Sequence, residues 1–287
     1  MTAKALVREK LRSRIQLNAL DTGCETASRD ARVKTQAGLN GRVEIFFAHL
    51  FDFLFQLPRS TPLTLQHRWS AFAPHSHEPD ISNALDQVAK KWGVEWVFPR
   101  VLNPQSPDPE MEFYLPTPAA VSSEGSIRTQ SFLKNTWGLA EPNPNESQLV
   151  ECGSIEGFLI PALAFDSRGV RLGRGKGYFD RYLARPETRP EAYSGMPAIK
   201  AQACHLKTKI GIAFDDQILS ENLEVEAHDI TMDIVLSESR CLVSQKWWKN
   251  ALECVQGFRP TLRQAFPGAE FFATPPLNQL TDTTERA

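Results

Sequence analysis

Short runs of apolar residues, each about as long as one β-strand, constrain the fold of this chain more than any other feature. The runs are VEWVFPRV at 94–101, GFLIPALAF at 157–165 and KIGIAF at 209–214. Helical patterns precede or separate them, at 3–20, 81–92 and 178–184. Strands that are apolar on both faces and alternate with helices are typical of a parallel sheet covered on both sides. The sequence therefore predicts an α/β fold, a three-layer sandwich with a mostly parallel central sheet flanked by helices.

The end of the chain differs in character from the rest. After Ser239 it contains KWWKNALECVQGF, which could form one amphipathic helix, and then becomes rich in Pro, Thr and Asn. We therefore predict one α/β domain over 1–238 and an accessory C-terminal tail over 239–287, partly helical or disordered. On this prediction, a chain cut after Glu238 keeps its activity.

Composition argues against several classes of protein. The formal net charge of -2 is too small to predict nucleic acid or an anionic membrane as partner. The five cysteines form no Cys-x-x-Cys pair, which is unlike a disulfide framework or a zinc site. No apolar run approaches the roughly 18 residues of a membrane helix. The N-terminus lacks the apolar core of a secretory signal, so we expect a cytoplasmic protein, although its arginines are also compatible with an organellar transit peptide.

The segment RLGRGKGYFD, residues 171–180, is the most informative about function. Alternate glycines let a backbone approach a ligand closely, and successive exposed N–H groups form a concavity that binds anions. The helix predicted from Tyr178 directs its positive end to the same place. Arg171, Arg174 and Lys176 add three charges. The segment predicts a polyphosphate-binding loop, although a flexible surface loop with solvated cations is the alternative. Its spacing is neither that of a Walker A loop nor Gly-x-Gly-x-x-Gly.

A family resemblance follows from this loop and its surroundings. IPALAFDSRGVRLGRGKGYFDRYL, residues 160–183, resembles the hallmark segment of the 5-formyltetrahydrofolate cyclo-ligase family. Weaker similarities occur in the expected order, in TWGLAEP (136–142), GIAFDDQ (211–217) and HDITMD (228–233). The resemblance spans roughly residues 3–238, but 21–64 and 185–208 look longer than the family needs.

The resemblance implies a reaction and its catalytic residues. ATP would drive the cyclisation of 5-formyltetrahydrofolate to 5,10-methenyltetrahydrofolate through a phosphorylated formyl intermediate, with release of ADP and phosphate. Arg174 and Lys176 would bind the transferring phosphoryl group. Asp180 and Asp229 would hold Mg²⁺, which prefers oxygen ligands. The alternatives are a first-turn helix carboxylate for Asp180 and a locally hydrogen-bonded loop carboxylate for Asp229.

The resemblance also implies two binding sites. The ATP site would comprise Lys4, Arg8, Arg171, Leu172, Gly173, Arg174, Gly175, Lys176, Gly177, Tyr178 and Phe179. The folate site would comprise Glu78, Phe113 and Trp137 together with Arg174, Gly175, Lys176, Gly177 and Tyr178. Glu78 would accept hydrogen bonds from the pterin ring, but it could instead neighbour a helix N-cap or join His75 and His77 at a metal site. The two aromatic residues could stack on a ring of the folate or belong to the core.

Two other classes of function remain open at this point. One is a catalytically silent, nucleotide-binding relative that acts as an interaction or RNA-associated protein. The other is a sugar-phosphate isomerase or transferase that needs no ATP. For the cyclo-ligase reading we expect only small-molecule partners, 5-formyltetrahydrofolate and ATP, with no nucleic acid or membrane, and a monomer or weak homodimer.

Overall fold

The computed structural model describes residues 3–20, 25–55, 67–75, 78–106, 110–117, 132–185, 207–254 and 260–273. The helices are α1 (Ala3–Leu20), α2 (Glu25–Phe55), α3 (Ser82–Trp92), α4 (Tyr178–Leu183), α5 (Gln245–Cys254) and α6 (Leu262–Ala265). The strands are β1 (His67–Ser70), β2 (Val94–Leu102), β3 (Glu110–Pro116), β4 (Leu133–Lys134), β5 (Ala140–Glu141), β6 (Ser147–Val150), β7 (Gly157–Pro161), β8 (Ala164–Asp166), β9 (Arg171–Leu172), β10 (Thr208–Ile212), β11 (Ile218–Leu219), β12 (Ile234–Leu236), β13 (Cys241–Ser244) and β14 (Ala269–Phe272). None of the helices in these ranges combines the length and apolar character needed to cross a membrane.

A nine-stranded sheet forms the centre of the structure, in the order β14-β13-β12-β10-β7-β1-β2-β3-β6. The pairs β1–β2, β1–β7, β7–β10, β10–β12 and β13–β14 are parallel. The pairs β12–β13, β2–β3 and β3–β6, which lie towards the two edges, are antiparallel. The mostly parallel central sheet that the apolar runs predicted is therefore confirmed.

The two faces of the sheet bury separate cores, because successive strand residues point to opposite sides. On β7, Leu159 belongs to the core under α2, α3, α5 and α6, whereas Phe158 and Ile160 belong to the core on the other face. The first core is rich in aromatic rings, and Phe47 lies at 5.3 Å from the ring of Trp69. The second face is covered by α4 and by a small sheet of β11, β8 and β9. The three-layer prediction is confirmed, with this small sheet forming part of one outer layer.

The apolar run at 157–165 forms two strands instead of one. β7 lies in the central sheet, whereas β8 lies in the small sheet, where it pairs with β9 and β11. Between them the chain turns, and the Leu163 N–H donates to the Leu172 carbonyl at 2.9 Å. A continuous apolar run shows that both strands are buried, but it carries no signal for the point where the chain leaves one sheet for another.

The segment after Glu238 is part of the main fold wherever the structure describes it, which corrects the predicted tail. β13 and β14 extend the central sheet, and Trp247, Trp248 and Phe266 lie in the core beneath α2. The rings of Phe53 and Trp248 stack at 5.3 Å. The boundary at residue 238 therefore does not separate an accessory unit in this region. The four-residue strand CLVS was too short and too close to turn residues to be recognised as a strand in the sequence.

We predict that a chain ending at Glu238 will not fold as the full chain does. Loss of β13 would expose the backbone edge of β12. The core would also lose two tryptophans, and removing one buried tryptophan side chain typically lowers the free energy of unfolding by about 3–5 kcal/mol. Thermal unfolding followed by circular dichroism, together with size-exclusion chromatography, measures this loss. A chain ending at Ala273 is the control and should unfold like the full chain. A monodisperse 1–238 chain with an unchanged unfolding transition would contradict the prediction.

Candidate active site

A cavity of about 990 Å³ lies against the central sheet. Its walls come from the residues that follow β1 and β7, from the second half of β2, from the loop between β9 and α4, and from residues 226–230. Ligands of α/β proteins bind at the carboxyl ends of parallel strands, because the connecting loops leave a crevice there. The predicted loop therefore lies at the position where this fold class binds its ligands.

The glycine-rich loop at 173–177 connects β9 to α4. Gly175 and Gly177 have φ angles of 95° and 62°, which residues with side chains rarely adopt. α4 begins directly after Gly177 but contains only six residues. Such a short helix contributes little of the dipole that the sequence suggested, so the charged side chains dominate the electrostatics of the loop.

Arg171 and Arg174 are each paired with a carboxylate. Arg171 Nη2 lies 2.6 Å from Asp180 Oδ2, and both side chains are largely buried. Arg174 Nη2 lies 3.0 Å from Glu78 Oε1, so Glu78 adjoins the loop. The structure thus brings a predicted folate residue and a predicted metal ligand into contact with the predicted phosphate-binding cations.

Helix α1 contributes the two N-terminal cations that the resemblance indicated. The ammonium group of Lys4, only 2% exposed, forms a close ion pair with Asp229. Arg8 Nε donates to the Gly173 carbonyl at 3.0 Å, and Arg8 lines the cavity. Both side chains therefore reach the site, Arg8 at the cavity wall and Lys4 behind Asp229.

Lys176 differs from the two arginines of the loop. No carboxylate lies within salt-bridge distance of its ammonium group in the described part of the chain. Its Nζ lies 6.0 Å from the ring centroid of Trp137, and that ring lies 6.3 Å from the ring of Tyr178. All three residues line the cavity. The loop therefore presents a positive charge to the cavity beside two aromatic rings.

Three predicted site residues do not line the cavity, namely Lys4, which lies behind Asp229, and Phe113 and Leu172, which lie in the core. Phe113 is 0% exposed, and its ring packs at 4.8 Å from that of Tyr182 in the core, so it has no free face on which a ligand could stack. The side chain of Leu172 is also 0% exposed and packs with Val170 and Leu223. The remaining predicted residues at the cavity wall are Arg8, Glu78, Trp137, Arg171, Gly173, Arg174, Gly175, Lys176, Gly177, Tyr178, Phe179, Asp180 and Asp229.

The two predicted metal ligands lie in adjoining segments. Asp180 Oδ1 accepts a hydrogen bond from the Ile230 N–H at 3.2 Å, so Asp180 lies beside the residue that follows Asp229. The ligand atoms of Glu226, His228 and Asp229 lie within 4.8 Å of one another. Sequence reasoning overlooked Glu226 and His228, for which the compact EAHD motif was the available signal. The alternative His75–His77 pair falls partly outside the described residues, because His77 is not described.

A buried aspartate organises the turn that leads into the loop. Asp166 is 0% exposed, and Oδ1 accepts from the N–H groups of Arg168 and Val170. Its Oδ2 accepts from the Arg168 guanidinium at 2.7 Å and from the Leu223 N–H at 3.0 Å. These bonds join the β8–β9 turn to the segment that continues towards Glu226 and Asp229. Asp166 therefore fixes the glycine-rich loop relative to the segment that carries Glu226 and Asp229.

Sequence reasoning also missed Glu141, which lines the cavity and is 5% exposed. Its Oε1 accepts hydrogen bonds from the Val101 N–H at 3.1 Å and from Asn135 Nδ2 at 2.9 Å. Burial raises the pKa of Glu141, an effect that these two hydrogen bonds partly oppose. The sequence signal for Glu141 was its position in the motif TWGLAEP, which was used only as evidence of the family resemblance and not to predict a site residue.

The fold and the cavity together define an α/β protein whose basic, glycine-rich loop is suited to an anionic ligand. The model of the 5-formyltetrahydrofolate cyclo-ligase family matches residues 63–238. The 5-formyltetrahydrofolate cyclo-ligase of Mycolicibacterium smegmatis is 30% identical over 174 residues, which cover 61% of this chain and 75% of that protein. This chain therefore belongs to the 5-formyltetrahydrofolate cyclo-ligase family.

Two further similarities are more limited. A probable 5-formyltetrahydrofolate cyclo-ligase of Schizosaccharomyces pombe is 28% identical over 117 residues, which cover 40% of this chain. The match spans only 53% of the length of that relative. The solved structure of the Aquifex aeolicus 5,10-methenyltetrahydrofolate synthetase is 22% identical and covers 84% of this chain and 92% of its own, with a TM-score of 0.48.

We predict that Glu141→Gln stabilises the protein at neutral pH. The raised pKa of Glu141 means that the folded state binds its proton more tightly than the unfolded state does. Wild-type stability therefore falls as pH rises from the ordinary glutamate range, near 4.5, through the raised value. The glutamine is uncharged and can keep both hydrogen bonds to Oε1, so its advantage should grow across that window. Urea unfolding at a series of pH values measures the difference, and an advantage that grew towards acid pH would refute the prediction.

Proposed function

We propose that this chain catalyses the ATP-dependent cyclisation of 5-formyltetrahydrofolate to 5,10-methenyltetrahydrofolate, releasing ADP and phosphate. The observation that carries the proposal is the Lys176 ammonium, which faces a large cavity from a glycine-rich loop without a carboxylate partner among the described residues. A cation in that position can bind a phosphoryl group without first giving up an ion pair. Family membership and the names of the curated relatives support the same reaction.

The proposed reaction needs positioning and charge neutralisation more than a protein nucleophile. A formamide oxygen is a poor leaving group, so transfer of the γ-phosphoryl group of ATP to that oxygen creates a good one. The N10 amine then attacks the activated carbon, N10 loses its proton, and phosphate departs as the ring closes. Arg174 and Lys176 stabilise the negative charge on the transferring phosphoryl group. The cavity holds N10 and the formyl carbon within reach of each other.

The carboxylates near the loop fit a bound Mg²⁺. Asp229 and Glu226 offer oxygen atoms within 4.8 Å of each other, and Asp180 lies in the adjoining segment. Hard oxygen ligands beside a phosphate site suit this ion, which neutralises charge on the nucleotide when bound. We therefore propose that Asp180 and Asp229 hold Mg²⁺ and that Glu226 assists them. Arg171 and Lys4, which pair with these carboxylates, keep their charges balanced.

The aromatic and acidic side of the cavity is proposed to receive the folate. The rings of Trp137 and Tyr178 form one wall and offer a stacking surface for a planar ring. Glu78 lies at the junction with the phosphate-binding loop, because its carboxylate contacts Arg174. We propose that the protein acts on small molecules in the cytoplasm, without nucleic acid or a membrane as partner, as a monomer or weak homodimer.

Turnover tests the proposed function directly. The full chain is incubated with 5-formyltetrahydrofolate, ATP and Mg²⁺ while near-ultraviolet absorbance reports the methenyl product. We expect product to form only when all three are present, with one ADP released per methenyl group. Tight ATP binding without product would favour the silent nucleotide-binding relative. Product formation without ATP would refute the proposed energy source.

We predict that Lys176→Ala lowers turnover by about 10²-fold or more, the usual effect of removing one group that stabilises transition-state charge. Stability should change little, because an exposed loop lysine contributes little to folding. The absorbance assay measures turnover, and thermal unfolding measures stability. Lys134→Ala, which removes an exposed lysine on β4 outside the cavity wall, is the matched control and should keep normal turnover. Near-normal turnover in Lys176→Ala would remove this lysine from the chemistry.

We predict that Glu78→Gln lowers both the affinity for folate and the rate of turnover. The change removes the charge that holds Arg174, so the guanidinium should lose its orientation beside the transferring phosphoryl group. Initial rates at varied concentrations of each substrate separate the effects on KM and kcat. Glu95→Gln is the control, since it breaks a similar pair with Arg68, at 2.6 Å, outside the cavity wall. An effect confined to the KM for ATP would place Glu78 in the nucleotide site alone.

A further inference from the structure

Glu141 presents an uncommitted acceptor to the cavity. Its Oε1 already accepts two hydrogen bonds, from Val101 and Asn135. In the described part of the chain its Oε2 accepts none, and Arg100 Nη1 lies 4.0 Å away while donating to the Pro142 carbonyl. A carboxylate that is 5% exposed, with one oxygen that has a distant ion pair but no hydrogen bond, is suited to accept a hydrogen bond from a ligand.

Tyr178 presents an uncommitted donor to the same cavity. Its hydroxyl is buried and has no hydrogen-bond partner within the described residues. A tyrosine hydroxyl carries one O–H and can donate one hydrogen bond. Buried hydroxyl groups rarely remain without a partner, and an unpaired one in a cavity wall indicates a position where a ligand supplies the acceptor.

The charge of the Glu141 carboxylate favours a planar, uncharged ring over a phosphate beside it. The neighbouring walls are apolar and include Val101, Met111 and Leu139. A carboxylate there repels an anion, whereas the loop cations attract one. The cavity wall therefore carries a cation at Lys176 together with one acceptor on Glu141 and one donor on Tyr178.

We infer that Glu141 and Tyr178 recognise a ring-amide edge of the substrate, with the ring N–H donating to Glu141 Oε2 and the ring carbonyl accepting from the Tyr178 hydroxyl. This inference rests on the proposed function, in which the pterin ring carries such an edge in its N3–H and C4 carbonyl. Glu78 is less suited to this role, because Arg174 donates to its Oε1 and the His75 N–H donates to its Oε2. Glu141 thus acts as a specificity-determining residue for the pterin.

The test compares the binding of two ligands, 5-formyltetrahydrofolate and its N3-methyl analogue, by calorimetry without ATP. Methylation removes the ring N–H, so the wild-type chain should bind the analogue about 10²-fold more weakly, as expected when a buried polar group loses its partner. In Glu141→Gln, Oε1 can keep its hydrogen bonds to Val101 and Asn135, but Nε2 takes the place of Oε2. An N–H donor then faces the ring N–H, so the acceptor is lost. The variant should bind the parent compound weakly and should no longer discriminate between the two ligands.

Tyr178→Phe provides an independent measurement. It should weaken the binding of both ligands about tenfold while keeping the discrimination against the N3-methyl analogue, because the acceptor on Glu141 is intact. The matched controls are Tyr114→Phe and Glu112→Gln. Their hydroxyl and carboxylate bond to each other at 2.8 Å on β3, and neither residue lines the cavity. Both controls should bind like the wild type.

The outcomes separate this inference from the proposed function. Discrimination that is present in the wild type and lost in Glu141→Gln supports the assignment. Equal discrimination in both, or equal binding of the two ligands by the wild type, overturns the assignment of Glu141 but leaves the proposed function intact. If the wild type binds neither ligand while it still binds ATP, the proposed function fails and this inference fails with it.

Discussion

The pairing of cations with carboxylates around the glycine-rich loop is the constraint on which the site depends. The loop concentrates positive charge in a partly enclosed place, and a buried charge without a partner is strongly destabilising. Three ion pairs supply these partners: Arg171 with Asp180, Arg174 with Glu78, and Lys4 with Asp229. These partners come from four separate parts of the sequence. Charge balance therefore links helix α1 to the segment before β12, and the residues after β1 to the loop.

The same pairs give the site its chemical character. The carboxylates that the family resemblance assigns to a metal are balanced by protein cations, whereas Lys176 keeps its charge available to the cavity. Binding of a polyphosphate with a divalent cation would bring in charges of both signs. The arginines could then move their contacts from carboxylate to phosphate oxygens at little electrostatic cost, because each charge would retain an opposite partner. This arrangement allows the same residues to balance their charges within the protein and to bind a highly charged ligand.

A second constraint is the rigidity of the frame that carries the loop. Asp166 joins the β8–β9 turn to the segment before Asp229, and the central sheet continues through β13 and β14. The family match ends at residue 238, but the hydrophobic core does not, since Trp247, Trp248 and Phe266 pack beneath α2. The C-terminal strands therefore support the fold at the edge of the sheet, and Phe272 on β14 belongs to the core cluster against which Tyr178 and Ile230 of the cavity wall pack.

The sequence by itself determined the fold class, the family and the composition of the loop. These depend on local patterns, namely continuous apolar runs, helical periodicity and closely spaced glycines and cations. Such patterns can be recognised in the sequence without knowing which residues are in contact. Only the tertiary structure decided which residues meet. It placed Phe113 and Leu172 in the core, brought Glu78 to Arg174, and opened Glu141 and Tyr178 to the cavity. It also joined β13 and β14 to the sheet. Burial and pairing between distant segments depend on how the layers pack, and a single sequence carries no local signal for that packing.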